Sequence, residues 1–368
     1  MFYIRTFLLS LTFISPVLAE VDPIKIGWVG PMSGPNAKYA AYEAAQLAME
    51  EINAAGGING ASLNLVFQDA HGDSRGAVAA TQHLLDAEKI KLIIGGHCSP
   101  ESLPMAPLIQ RSGALMLAAI TSSPKLTNQG DNIFRITAVS LQGIDVLIPF
   151  VSSKLNAHRA AVIYEETDYA IPLAEKFKGE FNKTGKVVGY ESYMKGEVDF
   201  RSIISRIKRA NPDFIYLSIQ SPEVSILILK QLADLGVRAY LGGNELMGSS
   251  LTAFPEHKEL FEGLYFSSPR FDIDSEPTKG FVERYKARFS AAGLPMGIWT
   301  AEAFDAVHVM AKAIKDCGPD PSSVRRCLYG IQNYQGVSGE ISIDSNGDGI
   351  RRYELKQIRN SRIETIVR

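Results

Sequence analysis

The strongest constraint on the fold is a unit of strand, turn and helix that recurs along most of the chain. Short apolar stretches such as IKIGWVGPM (24–32), KLIIGG (91–96) and DFIYLSI (213–219) are each followed by apolar residues at helical spacing. Strands that alternate with helices in this way form parallel sheets with helices on both faces. The units are too numerous for one sheet, so the sequence predicts two similar doubly wound α/β domains.

The course of the chain between these domains can also be predicted. A first series of units ends at the turn TSSPKLT (121–127), and a second series begins with RAAVIY (159–164). We therefore expect the chain to change domain near residues 137–142. The later helical stretch AEAFDAVHVMAKAIKD (301–316) is expected to return to the first domain.

The N-terminus has the pattern of a secretory signal peptide. One basic residue, Arg5, precedes the apolar stretch Thr6–Ile14, and the small residues Val17 and Ala19 stand before a cleavage site after Ala19. A membrane anchor is the alternative, but this apolar stretch is too short to span ~30 Å of hydrocarbon. Residues 1–19 are therefore expected to be removed and the mature protein exported.

The overall charge excludes one large class of partner. The formal net charge is −2 and the isoelectric point is about 6.3, so the chain has no basic field that would attract nucleic acid.

No later run of ~18 apolar residues is present, and the mature protein is expected to be soluble.

The three cysteines fit an exported protein. Cys317 and Cys327 flank the polar stretch GPDPSSVRR, and an oxidising compartment favours a disulfide bond between them. Cys98 is then the unpaired cysteine.

Three apolar strands lead into a Ser-Pro pair. The pairs are Ser99-Pro100, Ser123-Pro124 and Ser221-Pro222. Serine is a favoured N-cap and proline a favoured first helical residue, so each pair is expected to start a helix. Ligands of doubly wound sheets bind at the carboxyl ends of strands, and free N–H groups at helix N-termini attract anions there. Favourable capping of a helix would explain one Ser-Pro pair. Three pairs at equivalent positions indicate an anion cradle, that is, a site at the ends of the strands that binds an anion.

The stretch GGHCSPES (95–102) raises the alternative of an enzyme. A cysteine nucleophile needs a base oriented toward it, and neighbouring residues such as His97 and Cys98 tend to point in different directions at a strand end. We therefore expect Cys98 to be a buried, inert small residue. The chain contains no C-x-x-C, H-E-x-x-H, P-loop or G-x-S-x-G motif, so neither a metal site nor a catalytic site is predicted.

The stretch DSNGDG (344–349) matches the first half of a calcium-binding loop. The twelfth position, which should be a bidentate glutamate, is Leu355. A hairpin turn between GEISI and RRYELKQI is the preferred interpretation.

Several segments, in order, resemble the leucine/isoleucine/valine-binding proteins, which are periplasmic solute-binding proteins of ABC importers. The resemblance covers nearly the whole mature chain and implies two doubly wound lobes joined by three crossovers, with ligand enclosed between them and no catalysis or cofactor. The expected lobes comprise residues 20–138 with 269–336, and residues 139–268 with 337–368. The segments are IKIGWVGPMSGPNAKYA, AMEEINAAGGING, IIGGHCSPES, LMLAAITSSPKLT, NPDFIYLSIQSPE and YLGGNELMG.

The resemblance also implies a set of ligand-binding residues. Ser99 matches the serine that holds the ligand carboxylate, while Ile120 and Ser122 fall where backbone groups and a hydroxyl hold both carboxylate and ammonium. Glu245 matches the acid that pairs with the ammonium. Two aromatic residues that match the lining of the cleft are Tyr39 and Tyr169.

Two departures from the family pattern are informative. The early cysteine that would pair with Cys98 is absent, because QDAHGD has His71 and Gly72 in that region, so Cys98 is expected to be free. Gln220 and Ser221 stand where branched-chain binders have tyrosines, which puts the specificity for the ligand side chain in doubt.

The sequence thus predicts a monomeric protein that captures an amino acid, aliphatic or small and polar, and delivers it to an inner-membrane permease. An enclosed charge without a partner is costly, and an amino acid supplies both complementary charges. A short amide, urea or an aromatic acid is the alternative ligand. An exported hydrolase that uses Cys98 or Ser99 is a third and weaker alternative.

Overall fold

The structure is a computed structural model that describes residues 22–33, 37 and 41–367. The predicted signal peptide, residues 1–19, and Tyr39 therefore lie outside the described residues.

The first lobe is built on a five-stranded parallel sheet in the order β2-β1-β3-β4-β5. Strands β3 and β4 are buried along their whole length, as expected when helices cover both faces of a parallel sheet. The strands are β1 (Ile24–Gly30), β2 (Leu63–Asp69), β3 (Leu92–Gly95), β4 (Leu115–Ala118) and β5 (Ile133–Arg135). The helices that connect them are α1 (Ala41–Ala54), α2 (Ser74–Asp86) and α3 (Ser99–Ser112).

The second lobe is built on a seven-stranded sheet in the order β15-β14-β10-β9-β8-β6-β7. Its strands are β6 (Arg159–Glu165), β7 (Lys186–Tyr193), β8 (Phe214–Ser218), β9 (Tyr240–Gly243), β10 (Tyr265–Pro269), β14 (Tyr353–Arg359) and β15 (Arg362–Val367). Its helices are α4 (Gln142–Ser153), α5 (Ala170–Phe181), α6 (Arg201–Ala210), α7 (Pro222–Asp234) and α8 (Leu246–Ala253). Strands β6 to β10 pair in parallel, whereas β14 and β15 add an antiparallel edge that the alternating pattern did not predict.

The remaining elements return to the first lobe. They are α9 (Glu276–Phe289), α10 (Ile298–Cys317), α11 (Pro321–Tyr329) and a small sheet of β11 (Tyr334–Gly336), β12 (Gly339–Ile343) and β13 (Gly349–Ile350). Helix α10 packs against α1 and contacts β3 and β4, which confirms the predicted return of this helix. The residue bounds predicted for the two lobes stay a prediction.

The chain passes from one lobe to the other three times within residues 133–353: after β5, after β10 and between β13 and β14. Two buried ion pairs hold these passages. The Nε atom of Arg135 donates to Asp348 at 2.7 Å, and Arg351 lies 3.1 Å from Glu302 of α10. The predicted fold class, two doubly wound lobes joined by three crossovers, is confirmed.

The cysteines pair as predicted. A disulfide joins Cys317 at the end of α10 to Cys327 in α11, and Cys98 is free.

The stretch DSNGDG forms the turn between β12 and β13. The Asp344 carboxylate accepts the N–H groups of Asn346 and Asp348, at 2.7 and 2.9 Å. The stretch is a hairpin turn, as predicted, but the predicted partner strand RRYELKQI is wrong. Strand β12 pairs with β13, and β14 pairs with β10 and β15. No group of three or more His, Cys, Asp or Glu side chains within the described part of the chain is placed to hold a metal ion. No described helix is both long and apolar enough to cross a membrane.

Candidate functional site

A cavity of about 470 Å³ lies between the two lobes, where strands of both sheets end. The structure brings five of the predicted site residues to its wall: Ser99, Ile120, Ser122, Tyr169 and Gln220. Glu245 lies beside the wall and is described below. Helix α10 adds two residues that the sequence did not single out, Met296 from the preceding turn and Trp299 from its first turn.

The wall of the first lobe is formed partly by the start of α3. The predicted N-cap was Ser99, but the N-cap is Cys98, and Ser99 is the first helical residue. The buried carboxylate of Glu101 accepts the N–H groups of His97 and Cys98, at 2.6 and 3.2 Å, and so takes over the capping. Burial raises the pKa of Glu101 to about 7. The side chain of Ser99 is therefore not needed to cap the helix, and Ser99 lies on the cavity wall.

The loop that carries Ile120 and Ser122 is held from behind by a buried arginine. The Arg135 guanidinium donates to the carbonyl oxygens of Thr121 and Ser123, at 3.2 and 2.6 Å. Ser123 does cap a helix as predicted, since its hydroxyl accepts the N–H of Lys125. That helix is a single 3₁₀ turn over Pro124–Leu126, too short to form an anion site.

The wall of the second lobe carries its own anion. Glu165, at the end of β6, accepts the N–H groups of Gln220 and Ser221, at 2.9 and 3.0 Å, and the hydroxyl of Ser221 at 2.9 Å. Ser221 is the N-cap of α7, as predicted, but its hydroxyl does not cap the helix. The N–H groups of this joint are therefore already bonded to an internal carboxylate and are not free to join the predicted anion cradle.

Glu245 lies just behind the wall, at the start of α8. It is only 4% exposed, and the hydroxyl of Ser122 donates to its Oε1 atom at 3.2 Å. Its Oε2 atom and the Tyr169 hydroxyl lie near each other, yet neither has a hydrogen-bond partner among the described residues. Burial raises the pKa of Glu245 to about 7. Helix α8 and the neighbouring lobe enclose this carboxyl.

The histidine and cysteine of GGHCSPES do not form a catalytic pair. Burial lowers the pKa of His97 to about 4, which makes it a weak base. Burial and the nearby Glu101 carboxylate raise the pKa of the Cys98 thiol, so the reactive thiolate is disfavoured. Cys98 is half-buried on the cavity wall and is not the fully buried residue that the sequence predicted.

Several wall residues escaped the sequence analysis. Glu165 ends the apolar strand RAAVIYE, and a carboxyl group at the end of a buried strand was a signal that could have been used. Met296 and Trp299 precede and begin a helix of the other lobe, and no local pattern marks them as cavity residues.

A family model described as "Periplasmic binding protein" matches residues 23–362. The chain belongs to the periplasmic binding protein family. The two-lobed architecture and the cavity between the lobes are consistent with this membership.

Curated relatives of this periplasmic binding protein are named for amino acids. The "Leucine-, isoleucine-, valine-, threonine-, and alanine-binding protein" of Pseudomonas aeruginosa is 30% identical over 333 residues, which cover 89% of this chain and 87% of the relative. The "Leu/Ile/Val/Thr-binding protein" of Salmonella typhimurium is 29% identical over 337 residues, 90% of each chain. The predicted resemblance to the leucine/isoleucine/valine-binding proteins is confirmed.

Solved structures share the fold of this periplasmic binding protein. A branched-chain amino acid transporter substrate binding protein of Streptococcus pneumoniae, in complex with isoleucine, superposes with a TM-score of 0.83 at 24% identity and covers 94% of this chain and 100% of its own. A solute binding protein of Rhodopseudomonas palustris, in complex with benzoate, has a TM-score of 0.82 at 17% identity and covers 94% and 96%. At these identities the likeness concerns the fold alone.

Proposed function

We propose that this periplasmic binding protein captures a small amino acid between its lobes and delivers it to the inner-membrane permease of an ABC importer. The observation that carries the proposal is the arrangement of Ser99 and Ser122 on the cavity wall, with Glu245 bonded to Ser122 just behind that wall. It offers hydroxyl and N–H donors for an anion and a carboxyl group for a cation.

The carboxylate of the ligand would bind at the start of α3. Helix N-termini attract anions through unpaired N–H groups and the helix dipole. The hydroxyl and N–H groups of Ser99 lie at this end, and Pro100, which has no N–H group, follows. Ser122 and the backbone of Ile120 lie on the same wall and would complete the contacts to the carboxylate.

The ammonium of the ligand would bind between Ser122 and Glu245. One oxygen of Glu245 accepts the Ser122 hydroxyl, and the other accepts no hydrogen bond from the described residues. A buried acceptor without a donor is unfavourable by about 1–3 kcal/mol, and an ammonium has three N–H groups to offer. An amino acid therefore supplies the charge that each end of the site lacks.

Enclosure by the lobes would strengthen these contacts, because charges interact more strongly away from water. The lobes already touch beside the cavity: the Ser123 hydroxyl donates to the carbonyl of Asp168 at 2.9 Å, and Lys125 forms a 2.6 Å ion pair with the same residue. A hinge motion about the three crossovers would admit and release the ligand. We propose that the protein works as a monomer in the periplasm after cleavage near Ala19, without a cofactor and without catalysis.

A short amide, urea or an aromatic acid is the alternative ligand. An aromatic acid would satisfy the anion site at Ser99, and the R. palustris neighbour was solved with benzoate. Such an acid would leave the free oxygen of Glu245 without a cation.

Calorimetry and thermal unfolding of refolded protein with L-amino acids, short amides and benzoate test the proposal. Refolding removes any ligand carried through purification. At about 100 times its dissociation constant, a true ligand adds about 2.7 kcal/mol to the free energy of unfolding. Stabilisation by amides or benzoate, but by no amino acid, would refute the proposal.

A further inference from the structure

The far wall of the cavity, contributed by the second lobe, has a polar group with no partner. Gln220 lies on this wall, and its Oε1 atom is buried without a hydrogen-bond donor among residues 22–33, 37 and 41–367. A carboxamide carries one acceptor and two N–H donors, so it can bond to a ligand in more than one way.

The backbone that carries Gln220 is fixed in place. Glu165 is 1% exposed and accepts the N–H groups of Gln220 and Ser221 together with the Ser221 hydroxyl. Three charge-assisted hydrogen bonds therefore hold this joint at the start of α7. Within the joint, the side chain of Ser221 is already engaged, whereas the amide oxygen of Gln220 has no partner.

The rest of this wall contains further polar residues beside the apolar Val224 and Leu246. Thr167 and Lys195 come from the same lobe and line the cavity with Gln220. Lys195 and Glu223 bring opposite charges to this wall, so it favours neither a cationic nor an anionic side chain on the ligand. A neutral side chain that donates a hydrogen bond would satisfy Gln220 without repelling Lys195.

From these observations we infer that the cavity selects an amino acid whose side chain ends in a neutral hydrogen-bond donor, a carboxamide or a hydroxyl, and that Gln220 recognises this donor. The inference rests on the proposed function, because it assumes that the amino and carboxyl groups bind at Ser99, Ser122 and Glu245. A branched aliphatic side chain would close against Gln220 and leave its oxygen buried without a partner. A mismatch of this kind costs about 1–3 kcal/mol, and sites built to bond a polar group reject analogues that lack it.

Pairs of ligands with nearly the same shape test the inference. Asparagine has an amide group where leucine has two methyl groups. Threonine has a hydroxyl group where valine has a methyl group. Calorimetry on refolded wild-type protein should give tighter binding to the polar member of at least one pair, by about fivefold to a hundredfold.

Substitution of Gln220 should remove this preference. In Gln220→Leu, binding of the polar ligand should weaken and binding of its apolar counterpart should strengthen. Gln220→Met, which keeps the length of the side chain, provides a second variant if leucine impairs folding. Gln129→Leu is the matched control, because Gln129 is exposed and does not line the cavity; it should leave the ratio of affinities unchanged.

The possible failures can be told apart. If leucine and valine bind the wild type as tightly as asparagine and threonine, the inference is wrong and the proposed function stands. A preference that persists in both Gln220 variants would also overturn the role of Gln220. If no amino acid binds at all, the proposed function fails and the inference fails with it.

Discussion

Ser122 and Glu245 join the two lobes at the edge of the cavity: the Ser122 hydroxyl, which follows a strand of the first sheet, donates to the Glu245 carboxyl, which follows a strand of the second sheet, at 3.2 Å. The contact places a buried acid of one lobe next to the ligand wall of the other. Binding of an ammonium at this point would therefore depend on both lobes at once.

Glu245→Gln should weaken the binding of an amino acid. The change keeps the size of the side chain but removes its charge. A charge-assisted hydrogen bond contributes about 1.5–3 kcal/mol, so the affinity measured by calorimetry at pH 8 should fall about tenfold to a few hundredfold. Any affinity for benzoate, which has no amine, should not fall. Equal affinities of variant and wild type for the best amino acid would argue against contact between Glu245 and the ammonium.

The affinity of the wild type for an amino acid should rise with pH. Burial raises the pKa of Glu245 to about 7, and the ammonium prefers the carboxylate form. Binding must therefore expel a proton below pH 7, and affinity should be lost as the pH falls from 8 to 6. Glu245→Gln, which cannot titrate at this position, should show a much flatter profile. Parallel profiles for the two proteins would assign the pH dependence to another group.

The free energy of unfolding of the ligand-free protein should also depend on pH through Glu245, but it should fall as the pH rises. The pKa of Glu245 is about 7 when the protein is folded, against an ordinary value of 4.5, so the folded state holds an extra proton between these values. Stability from this group is present below pH 4.5 and is lost as the pH rises through 7. Relative to Glu245→Gln, the wild type should lose about 3 kcal/mol over this interval in urea unfolding. A difference that does not vary with pH would contradict the raised pKa.

Ser99→Ala should weaken binding of the ligand carboxylate. The change removes one hydroxyl from the first residue of α3, and the loss of a hydrogen bond to a charged group is about 1.5–3 kcal/mol. Ser112→Ala, at the other end of the same helix, is the matched control and should leave affinity unchanged in calorimetry. Equal effects of the two substitutions would indicate that Ser99 acts through the stability of the helix.

Glu165→Gln should disturb the joint that carries Gln220. The carboxylate accepts the two N–H groups and the Ser221 hydroxyl of the joint as well as the Tyr193 hydroxyl, and an amide cannot accept all four. A buried donor left unpaired costs about 1–3 kcal/mol. The free energy of unfolding should fall by this amount, and any selectivity between asparagine and leucine should shrink. Glu166→Gln is the control, because Glu166 bonds to Ser192 away from the cavity wall. Unchanged selectivity with reduced stability would make Glu165 a purely structural residue.

Cys98 should react slowly with a thiol reagent, and ligand should slow the reaction further. The thiol lies on the cavity wall, and burial raises its pKa, so little thiolate is present at pH 7. Cys317 and Cys327 are bonded to each other, so the label reports Cys98 alone. Cys98→Ala should retain ligand binding. Rapid labelling of the native protein, accompanied by loss of a hydrolytic activity, would revive the enzyme alternative.

Most of the fold could be predicted from local patterns of the sequence. Alternating strands and helices predicted the doubly wound lobes, and the return of α10 to the first lobe followed from one further helical stretch. The stretch RAAVIY, which begins the second series of units, forms β6, Arg159–Glu165. The antiparallel edge of β14 and β15 was not predicted, because strand direction depends on how distant segments meet and leaves no mark in local spacing.

The candidate site was only partly within reach of the sequence. The resemblance supplied Ser99, Ile120, Ser122, Tyr169 and Glu245 as candidates. The structure places the first four on the lining of a single cavity, with residues from both lobes, and Glu245 directly behind it. Their roles in binding stay a prediction. Tyr39 lies outside the described residues.

The sequence by itself determined the periodicity of each element, the pairing of Cys317 with Cys327 and the residues that end each strand. Only the tertiary structure decided which buried carboxyl meets which helix start. Glu165 and Ser221 are 56 residues apart, yet they bond because β6 lies beside β8 in the sheet. Glu101 instead reaches the N–H groups before its own helix, which leaves Ser99 facing the cavity. A free N–H group binds whichever acceptor the fold brings within about 3 Å, and that choice depends on the order of strands, which local spacing does not encode.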